Sequence, residues 1–155
     1  MKKRIGIVGI SGYGGSELLR LCATHPHFEL AYAAGDSTAG QLLAHRFAAL
    51  ADHAIGRLEI RKFEPARMEN LDLLFASLPT GKSREPLALV DPRIKIVDVG
   101  GDHRFVEGWT YGLTEMPGQR ERITRASRLA NPGCYPAVIR NSKLPTWRNR
   151  NLPTL

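Results

Sequence analysis

A chain of 155 residues, 43% hydrophobic and 24% charged, is long enough for one packed core and leaves little room for two full domains. The formal net charge of +7 points toward nucleic acid only until its distribution is read. Four of the 22 bases (Arg140, Lys143, Arg148 and Arg150) stand in residues 140–155 without an acid, so 18 bases face 15 acids over the rest; the basicity is local and no nucleic-acid partner is expected.

Met1-Lys2-Lys3-Arg4 before Ile5-Gly6-Ile7-Val8-Gly9-Ile10 has the look of a signal peptide, but the apolar run is short and gives way to Ser11-Gly12-Tyr13-Gly14-Gly15. Lys3 to Gly9 therefore reads as a strand buried on both faces. Ser16 to His25 carries leucines at helical spacing and stops at Pro26, with His25 as a local cap; Phe28 to Ala34 is a second strand, left through Gly35-Asp36-Ser37-Thr38-Ala39-Gly40. Together these make a βαβ unit. After a less regular stretch from Arg57 to Glu64, Asp72 to Ser77 is a strand broken by Leu78-Pro79-Thr80-Gly81. A helix is expected from Ser83 to Val90, a strand from Arg93 to Val99, and a last short strand from Arg128 to Ala130, leading into Asn131-Pro132-Gly133-Cys134.

Strands alternating with helices predict an α/β fold: a Rossmann-type, doubly wound, mostly parallel sheet with helices on both faces. The domain is expected to span residues 1–139. Residues 140–155, with two prolines, three asparagines and no apolar periodicity, are expected to be a basic, disordered tail. No stretch approaches the roughly 20 apolar residues of a membrane-spanning helix, so a cytoplasmic protein with no membrane partner is expected. Two cysteines without metal-ligand spacing imply reduced thiols and no metal site.

In a doubly wound sheet ligands sit beyond the carboxyl ends of the strands, and the chemically suggestive clusters all fall there. Gly9, Ser11, Gly12, Tyr13, Gly14 and Gly15 lie between a strand and a helix. Glycines in that place allow a tight turn and let backbone N–H groups approach a pyrophosphate at the positive end of the helix. Asp36 stands where an acid bonds the ribose hydroxyls of NAD and repels a 2′-phosphate, or else caps its turn; Ser37 and Thr38 could donate to that phosphate. Cys134 sits in a turn after a strand, where a thiolate could displace phosphate from an acyl phosphate, or where an inert thiol could be buried. Cys22, on the apolar face of the first helix, reads as core.

Gly9-x-x-Gly12-Tyr13-x-Gly15-x-Glu17-Leu18-Leu19, His25-Pro26, Ala39-Gly40, Leu78-Pro79-x-Gly81-x-Ser83, Asp98-x-x-x-Asp102-x-Arg104, Tyr111-Gly112-Leu113-x-Glu115 and Asn131-Pro132-Gly133-Cys134-Tyr135-Pro136 together resemble N-acetyl-gamma-glutamyl-phosphate reductase. The last motif sets it apart from the related aspartate-semialdehyde dehydrogenases and aminoadipyl-phosphate reductases. The resemblance implies NADPH-dependent reduction of N-acetyl-L-glutamyl 5-phosphate to the 5-semialdehyde with release of phosphate, a step of arginine biosynthesis. Cys134 is then the catalytic nucleophile, and NADP is preferred to NAD. Gly12, Tyr13 and Gly15 hold the pyrophosphate; Ser37 and Thr38 lie near the 2′-phosphate. Leu78, Pro79 and Gly81 approach the nicotinamide side. Asp102 and Arg104 lie near the substrate end, or form a structural cap or ion pair. Asn131 and Gly133 shape the cysteine turn and supply donors to the developing oxyanion.

The resemblance also marks departures. Family members carry a second domain with the dimer surface, substrate contacts and a histidine that assists the cysteine; none of His25, His27, His45, His53 and His103 stands at that position. Homo-oligomers are the family's rule, and a truncated chain is expected here. Thr80 stands where the family often has histidine, Asp36 where a basic or small residue is common, and His103 where the residue is usually apolar. A non-catalytic dinucleotide-binding module or truncated remnant, with Cys134 a leftover or a redox-sensitive thiol, is one alternative reading, and a related semialdehyde dehydrogenase of aspartate or aminoadipate metabolism is another.

Overall fold

Ile5, Ile7 and Val8 are fully or almost fully buried in a strand that runs through the middle of the molecule, β1 (Lys3–Val8). The computed structural model describes residues 1–65, 68 and 70–134; the expected tail and the domain boundary at 139 lie outside them. Five further strands accompany β1: β2 (Phe28–Ala34), β3 (Leu73–Ala76), β4 (Lys95–Asp98), β5 (Thr110–Tyr111) and β6 (Arg128–Ala130). They form one sheet in the order β2-β1-β3-β4-β6-β5, and every pairing is parallel.

An all-parallel sheet must be covered on both faces, and the strands' side chains divide accordingly. Ile5, Ile7, Leu30 and Ala33 pack with Leu19 and Cys22 of helix α1 (Tyr13–Ala23) on one side. Val8, Tyr32, Ala34, Leu74, Ala76 and Ile96 meet Leu87 of helix α3 (Arg84–Ala88) and Val90 on the other. Gly6 sits where strands and loops crowd: a Cβ there would lie 2.9 Å from Leu71 and 3.0 Å from Leu74. The doubly wound parallel sheet expected from the sequence is the fold observed.

The boundaries differ in informative ways. Helix α1 starts at Tyr13, three residues before the apolar spacing begins, so that Gly14 and Gly15 lie in its first turn. It ends at Ala23, and His25 lies beyond it, its Nδ1 accepting the His27 N–H at 3.2 Å while its ring stacks on Phe28 at 4.0 Å. The helix expected over Ser83 to Val90 is the shorter α3. Three features carried too little apolar periodicity to be read in advance. These are α2 (Leu43–Arg46) with two 3-10 turns after it (Ala48–Leu50, Ala54–Arg57), the two-residue β5, and α4 (Gln119–Arg125), a largely charged helix that returns the chain into β6. In the stretch read as irregular, Arg61 bridges to Ala34 at the end of β2, and Glu59 bridges to Leu42. Among the described residues no helix is long and apolar enough to cross a membrane.

Candidate active site

Because all six strands run the same way, the turns after β1, β2, β3, β4 and β6 open on one rim of the sheet. The turn after β1 is built by glycines with distinct tasks. Gly9 has φ +81°, and a Cβ on it would lie 2.0 Å from the Ser77 carbonyl oxygen; a Cβ on Gly15 would lie 2.1 Å from the Gly9 carbonyl oxygen. These two are required by packing. A Cβ on Gly12 would meet nothing closer than the Gly9 carbonyl oxygen at 3.6 Å, so the fold itself does not demand glycine there. Gly12 is the N-cap of α1 and makes no side-chain cap, which leaves the first-turn N–H groups aimed at the space a side chain would fill. Tyr13 is fully exposed beside it. That space fits a pyrophosphate, whose oxygens would take the donors the chain does not satisfy.

The turn after β2 is wired to this one. Thr38 is buried, and its Oγ1 lies 2.7 Å from Ser11 Oγ; a Cβ on Gly35 would strike both hydroxyls, at 2.9 and 2.5 Å. Asp36 and Ser37 are exposed at the same turn. The Thr38 hydroxyl expected near a 2′-phosphate thus stands directly against the glycine-rich turn after β1.

After β3, Leu78 packs on the core while Pro79 and Gly81 are exposed, and Gly81 has φ +81°. This turn is held from the other side of the rim by Asp102. The Gly81 N–H donates to both carboxylate oxygens at 2.8 and 2.9 Å, the Ser83 N–H at 3.1 Å and the Ser83 hydroxyl at 2.8 Å. The Gly81 amide foremost, with the Ser83 hydroxyl after it, holds the Asp102 carboxyl below the usual carboxylate range. Asp102 thus caps this turn.

Arg104 faces the other way. Its Nε donates to the Asn131 carbonyl at 3.2 Å, and its guanidinium lies close to Gly133, where a Cβ would come within 2.8 Å of a terminal nitrogen. Gly133 is buried and Cys134, next to it, is exposed. The Asn131 amide side chain closes its own turn by donating to the Pro132 carbonyl at 3.1 Å, and its backbone N–H donates to the Asp98 carbonyl at 2.7 Å. Cys22 is buried in the core as expected, and burial pushes its thiol up. Tyr135 and Pro136 of the cysteine motif lie outside the described residues.

Sequence reasoning missed one group on this rim. His103 is buried with its Nδ1 2.7 Å from an oxygen of the fully buried Asp98, and its ring stacks on Trp109 at 3.9 Å. The Asp98-x-x-x-Asp102-x-Arg104 spacing contained both partners, but nothing local showed that the intervening histidine turns inward.

Residues 4–126 match the family model of the semialdehyde dehydrogenase NAD-binding domain. N-acetyl-gamma-glutamyl-phosphate reductases of two Bradyrhizobium strains are 57% and 51% identical over 89% and 97% of the chain. The chain spans less than half of these relatives, 42% and 45% of their lengths. Among solved structures, an aspartate semialdehyde dehydrogenase with NADP from Candida albicans superposes with a TM-score of 0.63 at 18% identity, covering 78% of this chain and 36% of that one. Aspartate semialdehyde dehydrogenase II from Vibrio cholerae superposes with a TM-score of 0.64 at 14% identity, covering 90% and 44%; at such identities the likeness concerns the fold. The chain belongs to the semialdehyde dehydrogenase NAD-binding domain family and is similar to its N-acetyl-gamma-glutamyl-phosphate reductase members.

Proposed function

We propose that this chain is the nucleotide-binding part, residues 1–139, of an enzyme that reduces N-acetyl-L-glutamyl 5-phosphate to the 5-semialdehyde with NADPH, in arginine biosynthesis. The observation that carries the reading is the juxtaposition on one rim of a glycine cradle at a helix start and an exposed cysteine whose neighbour in the chain, Gly133, lies against a guanidinium. Gly9, Ser11, Gly12, Tyr13, Gly14 and Gly15 hold the pyrophosphate. Ser37 and Thr38 take the 2′-phosphate, which favours NADP over NAD. Leu78, Pro79 and Gly81 border the nicotinamide, which when bound supplies the hydride.

Cys134 is the nucleophile. Its thiolate attacks the acyl carbon, the new S–C bond replaces the C–O bond to phosphate, and phosphate leaves with that electron pair. Arg104, already against the cysteine turn, binds the phosphoryl oxygens with its forked donors and steadies the charge that departs. Asn131 and Gly133 set the turn so that backbone donors face the acyl oxygen. With hydride so supplied to the thioester carbon, breaking of the S–C bond would release the aldehyde and return the Cys134 thiolate. Asp102 positions the turn that borders the nicotinamide.

The test is phosphate-dependent reduction of NADP by N-acetyl-L-glutamate 5-semialdehyde, comparing the chain with Cys134→Ser. Turnover abolished by the substitution supports the chemistry. Nucleotide binding without turnover reduces the reading to a dinucleotide-binding module, and absence of nucleotide binding overturns it.

A further inference from the structure

Asp98 closes β4 and sits between the two halves of the rim. Its backbone carbonyl receives the Asn131 N–H at 2.7 Å, which ties it to the cysteine turn. Its carboxylate receives the Gly100 N–H at 2.9 Å and faces His103 Nδ1 at 2.7 Å, which closes the loop from 98 to 103 on itself. Both side chains are inside the protein, 0% and 4% exposed, and the imidazole is clamped against Trp109. The Ser83 hydroxyl, which donates to Asp102, lies 3.5 Å from the same His103 nitrogen. A bond buried this deeply has few alternatives, because either partner left alone would be desolvated without compensation.

The residues on either side of His103 do the visible work of the loop. Asp102 grips the turn after β3, and Arg104 grips the turn before Cys134. His103 points inward between them. We infer that His103, held by Asp98, is a positioning residue: it fixes the loop so that the Arg104 guanidinium stays on the cysteine turn as a seat for the phosphoryl group of the substrate. This rests on the proposed role of Arg104. It assigns no proton transfer to His103, whose ring has its Nδ1 committed to Asp98 and one face against Trp109.

Two substitutions separate the hydrogen bond from the packing. His103→Phe keeps an aromatic ring for Trp109 and removes the bond to Asp98. His103→Asn loses the ring but places an amide nitrogen close to where Nδ1 stands, restoring a donor to Asp98. The readout is alkylation of Cys134 by iodoacetamide at rising inorganic phosphate, with the thermal melt and NADP affinity measured alongside. In the parent chain phosphate is expected to slow alkylation in a saturable way. His103→Phe is expected to raise the half-protecting phosphate concentration about tenfold, the scale on which a small misplacement of a binding group acts, while NADP affinity is kept; His103→Asn is expected to recover most of that loss. A merely structural role would move the melt and NADP affinity together and leave the phosphate dependence of the folded fraction unchanged. Equal phosphate protection in the parent and His103→Phe overturns the inference alone. A parent chain that phosphate does not protect overturns the Arg104 seat and the inference with it. If His103→Phe fails to melt cooperatively, Asp98→Asn takes its place, since a single amide oxygen must then serve both Gly100 and His103; unchanged phosphate protection in that variant overturns the inference equally.

Discussion

Two glycines three residues apart in the glycine-rich turn after β1 are expected to respond to the same substitution in opposite ways. At Gly15 a methyl group would lie 2.1 Å from the Gly9 carbonyl oxygen and 2.7 Å from the Gly9 carbonyl carbon and Ile10 Cα. Ordinary contact begins at 3.4 Å, so helix α1 and the end of β1 would have to part by 3.4 − 2.1 = 1.3 Å, and all three atoms are backbone. Helix propensity pulls the other way, since alanine is favoured over glycine inside a helix by about 1 kcal/mol. Overpacking of a tight backbone contact costs about 1–3 kcal/mol and sometimes more, and with no flexible side chain to yield, the upper end applies and outweighs the propensity gain. Gly15→Ala is therefore expected to be destabilised by a net of about 1–2 kcal/mol, lowering Tm by roughly 2–8 °C for a chain of this size. Gly12→Ala meets only an ordinary contact at 3.6 Å and is expected to melt within about 1 kcal/mol of the parent. It is nonetheless expected to weaken NADP binding about tenfold or more, because its methyl occupies the space at the helix start. Thermal melts and a fluorescence titration with NADP of both variants decide the matter. A parent-like melt for Gly15→Ala, or parent-like NADP affinity for Gly12→Ala, would refute this division of roles.

The two thiols are expected to differ sharply: iodoacetamide at neutral pH modifies the exposed Cys134 in the folded chain and reaches the buried Cys22 only in denaturant, as intact mass would register. Two modifications under native conditions would contradict the packing of α1. Asp102→Asn keeps one acceptor oxygen for the three donors the carboxylate now receives, and is expected to cost about 1–3 kcal/mol in urea unfolding. Stability is expected to fall on the acid side. Asp91, brought down to about 2 by Arg93, and Asp72 and Asp102, both lowered, have folded values below their unfolded ones, so their contribution is present above the ordinary carboxylate range and is lost as pH falls through the lowered values. Urea melts at a series of pH values below 5 that show no loss would contradict those hydrogen bonds.

Much of the fold was legible because burial on both faces writes a continuous apolar run. Ile5-Gly6-Ile7-Val8 and Leu73-Leu74-Phe75-Ala76 have that signature, and both are central strands. Of the elements that escaped notice, α4 and β5 bury little: Gln119 is the one buried residue of α4, held by a hydrogen bond from its side-chain amide to the Tyr111 carbonyl rather than by an apolar face. Sequence order also placed β5 before β6, whereas in the sheet β6 lies between β4 and β5.

The sequence by itself determined that strands and helices alternate, that the sheet is parallel, and that the glycine loop, the Ser37–Thr38 turn and Cys134 would share the rim where strands end. Those features follow from local periodicity and from the position of turn residues, which neighbours along the chain encode. Tertiary structure alone decided which side chain of the Asp98–Arg104 loop serves which neighbour. Asp102 went to the turn after β3 and Arg104 to the cysteine turn, because loops that are 20 to 30 residues apart along the chain meet over the ends of adjacent strands, while His103 turned inward to Asp98, five residues before it. The same holds for the glycines. Gly9 and Gly15 look alike with Gly12 in the sequence, and only the approach of Ser77 and of the Gly9 carbonyl separates the two that the fold needs from the one whose missing side chain leaves room for a ligand.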